Sequence, residues 1–194
     1  MILSNMEIIN CINSGLFTIG NIAGLDPAKP PFNTSAVDLR LGDEVFEPNQ
    51  VPSPSQLDLT NPGIAGHLTK NGTPYKISKS QPYSLSPNKL VLAKTLETVD
   101  FPLLNSSSTC YSARVEGKSS LARCGILVHF TAPTIHAGFR GSITLEIINL
   151  GVHNLLLIPG MYVCQLIIEE VKGVPSGAPS QFHGQSTAVG NAPP

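Results

Sequence analysis

Charge is scarce in this chain. Only 13% of its 194 residues are Asp, Glu, Lys or Arg, and the formal net charge is −1. So low a content disfavours long solvated helices, and so small an imbalance leaves no general basic footprint for nucleic acid. Any phosphate site must therefore be local. No apolar run reaches the ~18 residues of a membrane span. The N-terminus lacks a basic segment followed by an apolar core, so no signal peptide is expected. Cysteine is sparse and scattered, at Cys11, Cys110, Cys124 and Cys164. There is no C-x-x-C, and no His/Cys cluster has zinc spacing. An even count permits disulfides, but reduced, mostly buried thiols in a cytoplasmic protein are the expectation. No cysteine adjoins a base, so none is read as a nucleophile.

What the chain has instead is punctuation: 17 Gly and 17 Pro in a sequence that is 41% hydrophobic. That mixture favours short strands joined by many turns, an all-β architecture. The length fits one domain able to bury roughly 70% of its unfolded surface. We place that domain at residues 1–180 and a flexible tail at 181–194. From Val174 onward the composition is Pro, Gly and Ser without apolar periodicity, so nothing need hold this stretch in the free protein.

Residues 4–7, S-N-M-E, form a capping-box pattern, with Ile8, Ile9 and Ile12 at near-helical spacing and Gly15 as a stop. A short helix over 4–14 follows. S-A-V-D-L-R-L-G at 35–42 alternates and predicts a strand ended by its glycine, with Asp38 and Arg40 on one face as a structural pair. Residues 47–88 are proline-rich, with short strands at best near 57–60 and 75–78. Segments 89–99 and 111–116 read as strands, as do Ile126 to Thr131 and the two apolar runs flanking Pro159-Gly160, buried on both faces. His129 reads as a packed, hydrogen-bonded histidine, and Gln165 as a structural amide.

The densest chemistry lies in residues 116–149. Gly117-Lys118-Ser119-Ser120 is a turn of small residues, hydroxyls and a lysine, suited to an anion but lacking the P-loop pattern G-x-x-x-x-G-K-[ST]. An ordinary turn opening a short helix is the alternative. Arg123 follows. In S-I-T-L-E-I-I, Ile143, Leu145 and Ile147 share one strand face, and Ser142, Thr144 and Glu146 the other. A mid-strand carboxylate among aliphatics is costly to bury unless paired, and Arg123 is the expected partner. A structural ion pair or a solvated sheet face stays open as an alternative to catalysis.

G-K-S-S-L-A-R, V-H-F-T-A, A-G-F-R-G-S-I-T-L-E and P-G-M-Y-V-C-Q-L, in this order, resemble the metal-independent dCTP deaminases, relatives of the trimeric dUTP pyrophosphatases. The resemblance runs from the N-terminus to about residue 185. It implies a distorted jelly roll with a short N-terminal helix, a homotrimer with active sites at subunit interfaces, and hydrolysis of dCTP to dUTP and ammonia. It implies Glu146 as the base, Ser119 positioning water or the amino group, and Arg123 orienting Glu146. Lys118 and Ser120 would hold phosphates. The backbone around Ala132, Thr144 and Leu145 would read the base, and His136 would lie by the sugar. Phe182 and Gln185 would belong to a tail closing over the nucleotide. Magnesium is expected with the triphosphate, and no zinc, since the zinc-deaminase signature H-x-E…P-C-x-x-C is absent.

Two departures from the family pattern stand out. His136 occupies the place of an aspartate that activates water in the dUTP-hydrolysing relatives. Gln181 stands where a phosphate-binding lysine is common. A dUTP pyrophosphatase or bifunctional enzyme, and a non-catalytic nucleotide-binding protein, are the alternatives.

Overall fold

The longest strand, β3 (Ala36–Pro48), joins the two halves of the molecule. The computed structural model describes residues 1–48, 60, 71–103, 109–177 and 183–189. In chain order the elements before β3 are α1 (Asn5–Asn13), β1 (Thr18–Gly20) and β2 (Phe32–Asn33). After it come β4 (Gly72–Lys76), β5 (Tyr83–Leu85), β6 (Leu90–Asp100), β7 (Cys110–Gly117) and α2 (Ser119–Ala122). The chain continues through β8 (Ile126–Leu127), β9 (Thr134–Ile135), β10 (Arg140–Asn149), β11 (Leu155–Leu157) and β12 (Tyr162–Val171). All strand pairs are antiparallel. The main sheet runs β8-β10-β6-β3-β12-β7-β9, with β1 on β6 and β2 and β4 on β3, and β11 pairs separately with β5. The curled sheet with its short helix is the all-β, distorted jelly-roll architecture expected.

The early residues of β3 pair with β12 (Asp38↔Gln165) and the later ones with β6 (Phe46↔Leu92). The strand therefore does not end at Gly42, as its sequence suggests; it bends there. A Cβ on Gly42 would sit 3.0 Å from the Lys94 carbonyl, so glycine lets β6 approach while the register shifts between Leu41 and Val45. Helix α1 starts where expected, with Ser4 Oγ accepting the Glu7 N–H at 3.3 Å and Ile8, Ile9 and Cys11 buried. Strand β12 is buried on one face only, through Leu166 and Ile168; Ile167 on the other is half-buried. The strand expected over 126–131 is just two residues long, because the chain turns away at Val128. Of the weak strands expected in the proline-rich region, β4 forms near 75, and residues 57–59 lie outside the described residues.

Ile143, Leu145 and Ile147 of β10 are at most 3% exposed and Val91, Ala93 and Val99 of β6 at most 1%. The core thus sits beneath β6 and β10, and burying each such valine, leucine or isoleucine side chain contributes about 1.5–3 kcal/mol. In phase with that apolar face of β6 lie two polar side chains, Thr95 and Glu97, each 2% exposed. The Arg40 guanidinium meets Glu97 at 2.6 Å, and the Arg40 N–H donates to its other oxygen at 2.7 Å. Arg40 is therefore not paired with Asp38. The three buried cysteines and the exposed Cys124 are all free thiols.

Candidate active site

Strand β10 is covered by β6 along one flank from Arg140 to Ile148. On its other flank, β8 pairs only with Ile148 and Asn149. At the far end, Gly141 bridges to Gln185 of the C-terminal segment. Among the described residues no strand covers Ile143 to Ile147 on this side, leaving a notch with an open main-chain edge. Thr144 and Glu146 lie on it, both half-buried. The Phe130 N–H approaches Glu146 Oε2 at 3.4 Å. Leu145 is fully buried in the core and paired with Ala93 of β6.

The Gly-Lys-Ser-Ser turn closes β7 and opens α2, leading through β8 back to β10. Ser119, Ser120 and Arg123 are exposed. Arg123 forms no ion pair among the described residues, and the expected Arg123–Glu146 contact is absent within the chain. The reason is local: Arg123 sits at the end of a four-residue helix, before β8, with its side chain in solvent. Lys118, in contrast, is paired with the Asp38 carboxylate. Asn33 Nδ2 donates to the other Asp38 oxygen at 2.9 Å, and the Lys118 ammonium lies 5.8 Å from the Tyr162 ring centre. Asp38 thus finds its cation across the sheet rather than at Arg40. Cys164 is fully buried beside Glu97 and Asp38. Burial above all, then those carboxylates, pushes its thiol well up, which keeps it neutral and unsuited to attack.

Ala132 and His136 are exposed between β8 and β10, His136 in the turn where its carbonyl accepts the Phe139 N–H at 3.1 Å. Among the described residues, the buried Thr144 Oγ1 and His129 Nδ1 lack hydrogen-bond partners. His129 is therefore not the satisfied histidine its packing suggests. Gln165 does behave as a structural amide, donating to the Gly117 carbonyl at 3.1 Å.

Composition suggests a free tail, but at residues 183–189 the tail is a docked strap. The Gln185 amide donates to the Ser142 carbonyl at 2.7 Å, and the Ser142 N–H donates to the Gln185 carbonyl at 3.0 Å. Gly184 N–H donates to the Arg140 carbonyl at 2.6 Å, and Lys94 Nζ to that of Ser186 at 2.6 Å. Ala188 is fully buried, its N–H on Glu44 at 2.6 Å. The Gln185 amide is thus committed to β10. Gln181 and Phe182 lie outside the described residues.

The model of the dCTP deaminase-like family matches residues 2–171. The chain belongs to that family. A dCTP deaminase, dUMP-forming, of Methanosphaera stadtmanae is 34% identical over 192 residues, covering 95% of this chain and 90% of the relative. A dCTP deaminase of Halorubrum lacusprofundi is 32% identical over 204 residues, covering 100% and 93%. In fold, this dCTP deaminase-like chain is similar to the crystal structure of 2'-deoxycytidine 5'-triphosphate deaminase from Agrobacterium tumefaciens, with a TM-score of 0.62 at 19% identity. That match covers 88% of this chain and 47% of the solved one, so the chain spans about half the length of that structure.

Sequence reasoning missed the buried Thr95 and Glu97 and the strap. The first had a signal: both fall in phase with Val91, Ala93 and Val99.

Proposed function

We propose that this chain deaminates dCTP hydrolytically, giving dUTP and ammonia. The observation that carries the reading is Glu146. Its carboxylate stands half-buried on the open flank of β10, approached by a peptide N–H and, among the described residues, met by no cation.

In the reaction, Glu146 takes a proton from the attacking water as the water oxygen bonds to C4 of cytosine. The C4=N3 π pair moves onto N3 as that bond forms; Glu146 then delivers the proton to the amino nitrogen, the bond from C4 to that nitrogen breaks, ammonia leaves, and the second water proton passes from the C4 hydroxyl to N3 to give the uracil ring. Ser119 positions the water or the amino group. The open main-chain edge at Thr144, with Leu145 behind it in the core and Ala132 beside it, reads the base. His136 lies by the sugar. Lys118 and Ser120 hold phosphates; an ammonium carries three donors, so Lys118 can turn to phosphate while sharing Asp38. Magnesium arrives with the triphosphate as its counter-ion. Phe182 closes over the nucleotide. Arg123 orients Glu146, and since it faces solvent in its own chain, the Glu146 it serves belongs to another copy. The assembly is a homotrimer with sites at subunit interfaces, working in the cytoplasm.

Glu146→Gln keeps the shape and removes the base. Ammonia release from dCTP should fall ~10²–10⁴-fold while nucleotide binding persists; near-normal release would refute the assignment. A second reading, in which the same chain also converts dUTP to dUMP, is favoured by the dUMP-forming name of the Methanosphaera relative. His136, in place of a carboxylate, counts against it. Assaying ammonia and pyrophosphate separately decides between the two.

A further inference from the structure

Strand β10 is not paired regularly on its way to Glu146. Between the pairs Ser142↔Thr98 and Thr144↔Lys94, three residues of β6 stand against the single residue Ile143. Such an irregularity leaves main-chain groups without ladder partners. Here one hydroxyl fills the gap. Thr95 Oγ1 accepts the Ile143 N–H at 3.0 Å and donates its own proton to the Glu97 carbonyl at 2.7 Å. On the opposite flank, at the neighbouring residue, Ser142 is gripped by Gln185: main-chain N–H to carbonyl, amide to main-chain carbonyl, and Ser142 Oγ to the same Gln185 carbonyl at 3.3 Å. Gly141 makes that grip possible. Its φ is +140°, and a Cβ there would lie 2.6 Å from the Gln185 carbonyl oxygen. Thr95, Ser142 and Gln185 are at most 7% exposed.

We propose that Thr95 and Gln185 form a two-sided clasp on β10 and are positioning residues for Glu146. From Thr144 to Ile148 the ladder with β6 is regular, so a displacement at the clasp is carried along the strand to Thr144 and Glu146. A full one-residue slip would turn Glu146 into the core and Leu145 out; the buried Leu145 and Ile147 oppose it. What the clasp sets is the finer placement of the carboxylate, where a 1 Å error costs on the order of 10²-fold in rate. Gln185 thus acts through the strand rather than by touching the nucleotide.

This rests on Glu146 being the base, and the test separates the two ideas. Steady-state dCTP deamination is measured by ammonia release, normalised to folded protein by circular dichroism, for Thr95→Val, Thr95→Ser, Gln185→Leu and Glu146→Gln. Thr95→Val should lower kcat about 10- to 100-fold with KM within about 3-fold, and Thr95→Ser should restore most of it. Gln185→Leu, which keeps the main-chain contacts, should lower kcat by about 10-fold at similar KM. Full kcat per folded chain in Thr95→Val overturns the clasp. If Thr95→Val does not fold, Gln185→Leu decides alone: unchanged kcat, or a raised KM at unchanged kcat, overturns the positioning role. Turnover retained by Glu146→Gln would instead remove the base assignment.

Discussion

Replacing Arg40 by Met should damage stability far more than any surface charge would. Glu97 has 2% side-chain exposure, and Arg40 covers it from a side chain that is itself only 22% exposed. The substitution removes the 2.6 Å guanidinium contact and leaves the carboxylate with the Arg40 N–H and no cation. Breaking one side of a buried pair costs about 3–5 kcal/mol, whereas replacing both partners with apolar side chains is often close to neutral. For a chain of this size each kcal/mol shifts Tm by about 2–4 °C, so Arg40→Met should melt about 6–20 °C below the parent. The double variant Arg40→Met/Glu97→Leu should recover a large part of that loss. Thermal melts and urea titrations followed by circular dichroism, at one fixed protein concentration because assembly shifts apparent stability, give all three values. If Arg40→Met unfolds within about 0.5 kcal/mol of the parent, or if the double variant is no more stable than Arg40→Met, the pair is not the buried unit described.

The acid limb of stability tests the sheet edge at Glu47, whose carboxyl the Lys89 ammonium, then the Tyr83 hydroxyl, holds below its ordinary value of 4.5. A depressed folded-state pKa adds stability that is complete above that value and lost as pH falls through the lowered one. Stability measured between neutral pH and pH 3 should therefore fall less steeply in Lys89→Met than in the parent, the difference being about 1 kcal/mol or less; identical slopes would remove the pair. A zinc-selective chelator should leave deamination intact when magnesium is supplied, and one tightly bound zinc per chain, lost together with activity, would contradict the water-activating role of Glu146.

Local patterns were read best where one periodicity acts alone. The capped helix at Ser4, the alternation of Ile143, Leu145 and Ile147, and strands β6 and β7 follow directly from spacing. Partner choice did not. Asp38 and Arg40 share a face, yet each is claimed by an opposite charge from elsewhere in the sequence, Asp38 by Lys118 of the turn after β7 and Arg40 by the buried Glu97 of β6. Arg123 and Glu146 are joined in sequence logic by charge alone, and one short helix turn directs the arginine into solvent. Gly42 looks like a stop because glycine often ends strands; here it permits a bend, which only the approach of β6 reveals. The strap was invisible because its hold comes from main-chain groups and one amide, and a Pro/Gly/Ser composition says nothing about those.

That strap has a consequence for synthesis. The contacts that steady β10 come from Thr95, 48 residues before Ile143, and from Gln185, 43 residues after Ser142. Pairings so distant in sequence form late in folding. A chain released between Val171 and Gly184 already carries β12, the carboxylate, the serines and the arginine, yet on the flank away from β6 its site strand is held by β8 at Ile148 and Asn149 and lacks the Gln185 contact at Ser142. The segment around Gln185 must therefore be made before the strand is fixed, so chains terminated ahead of it should contribute little deamination even where they survive as folded protein.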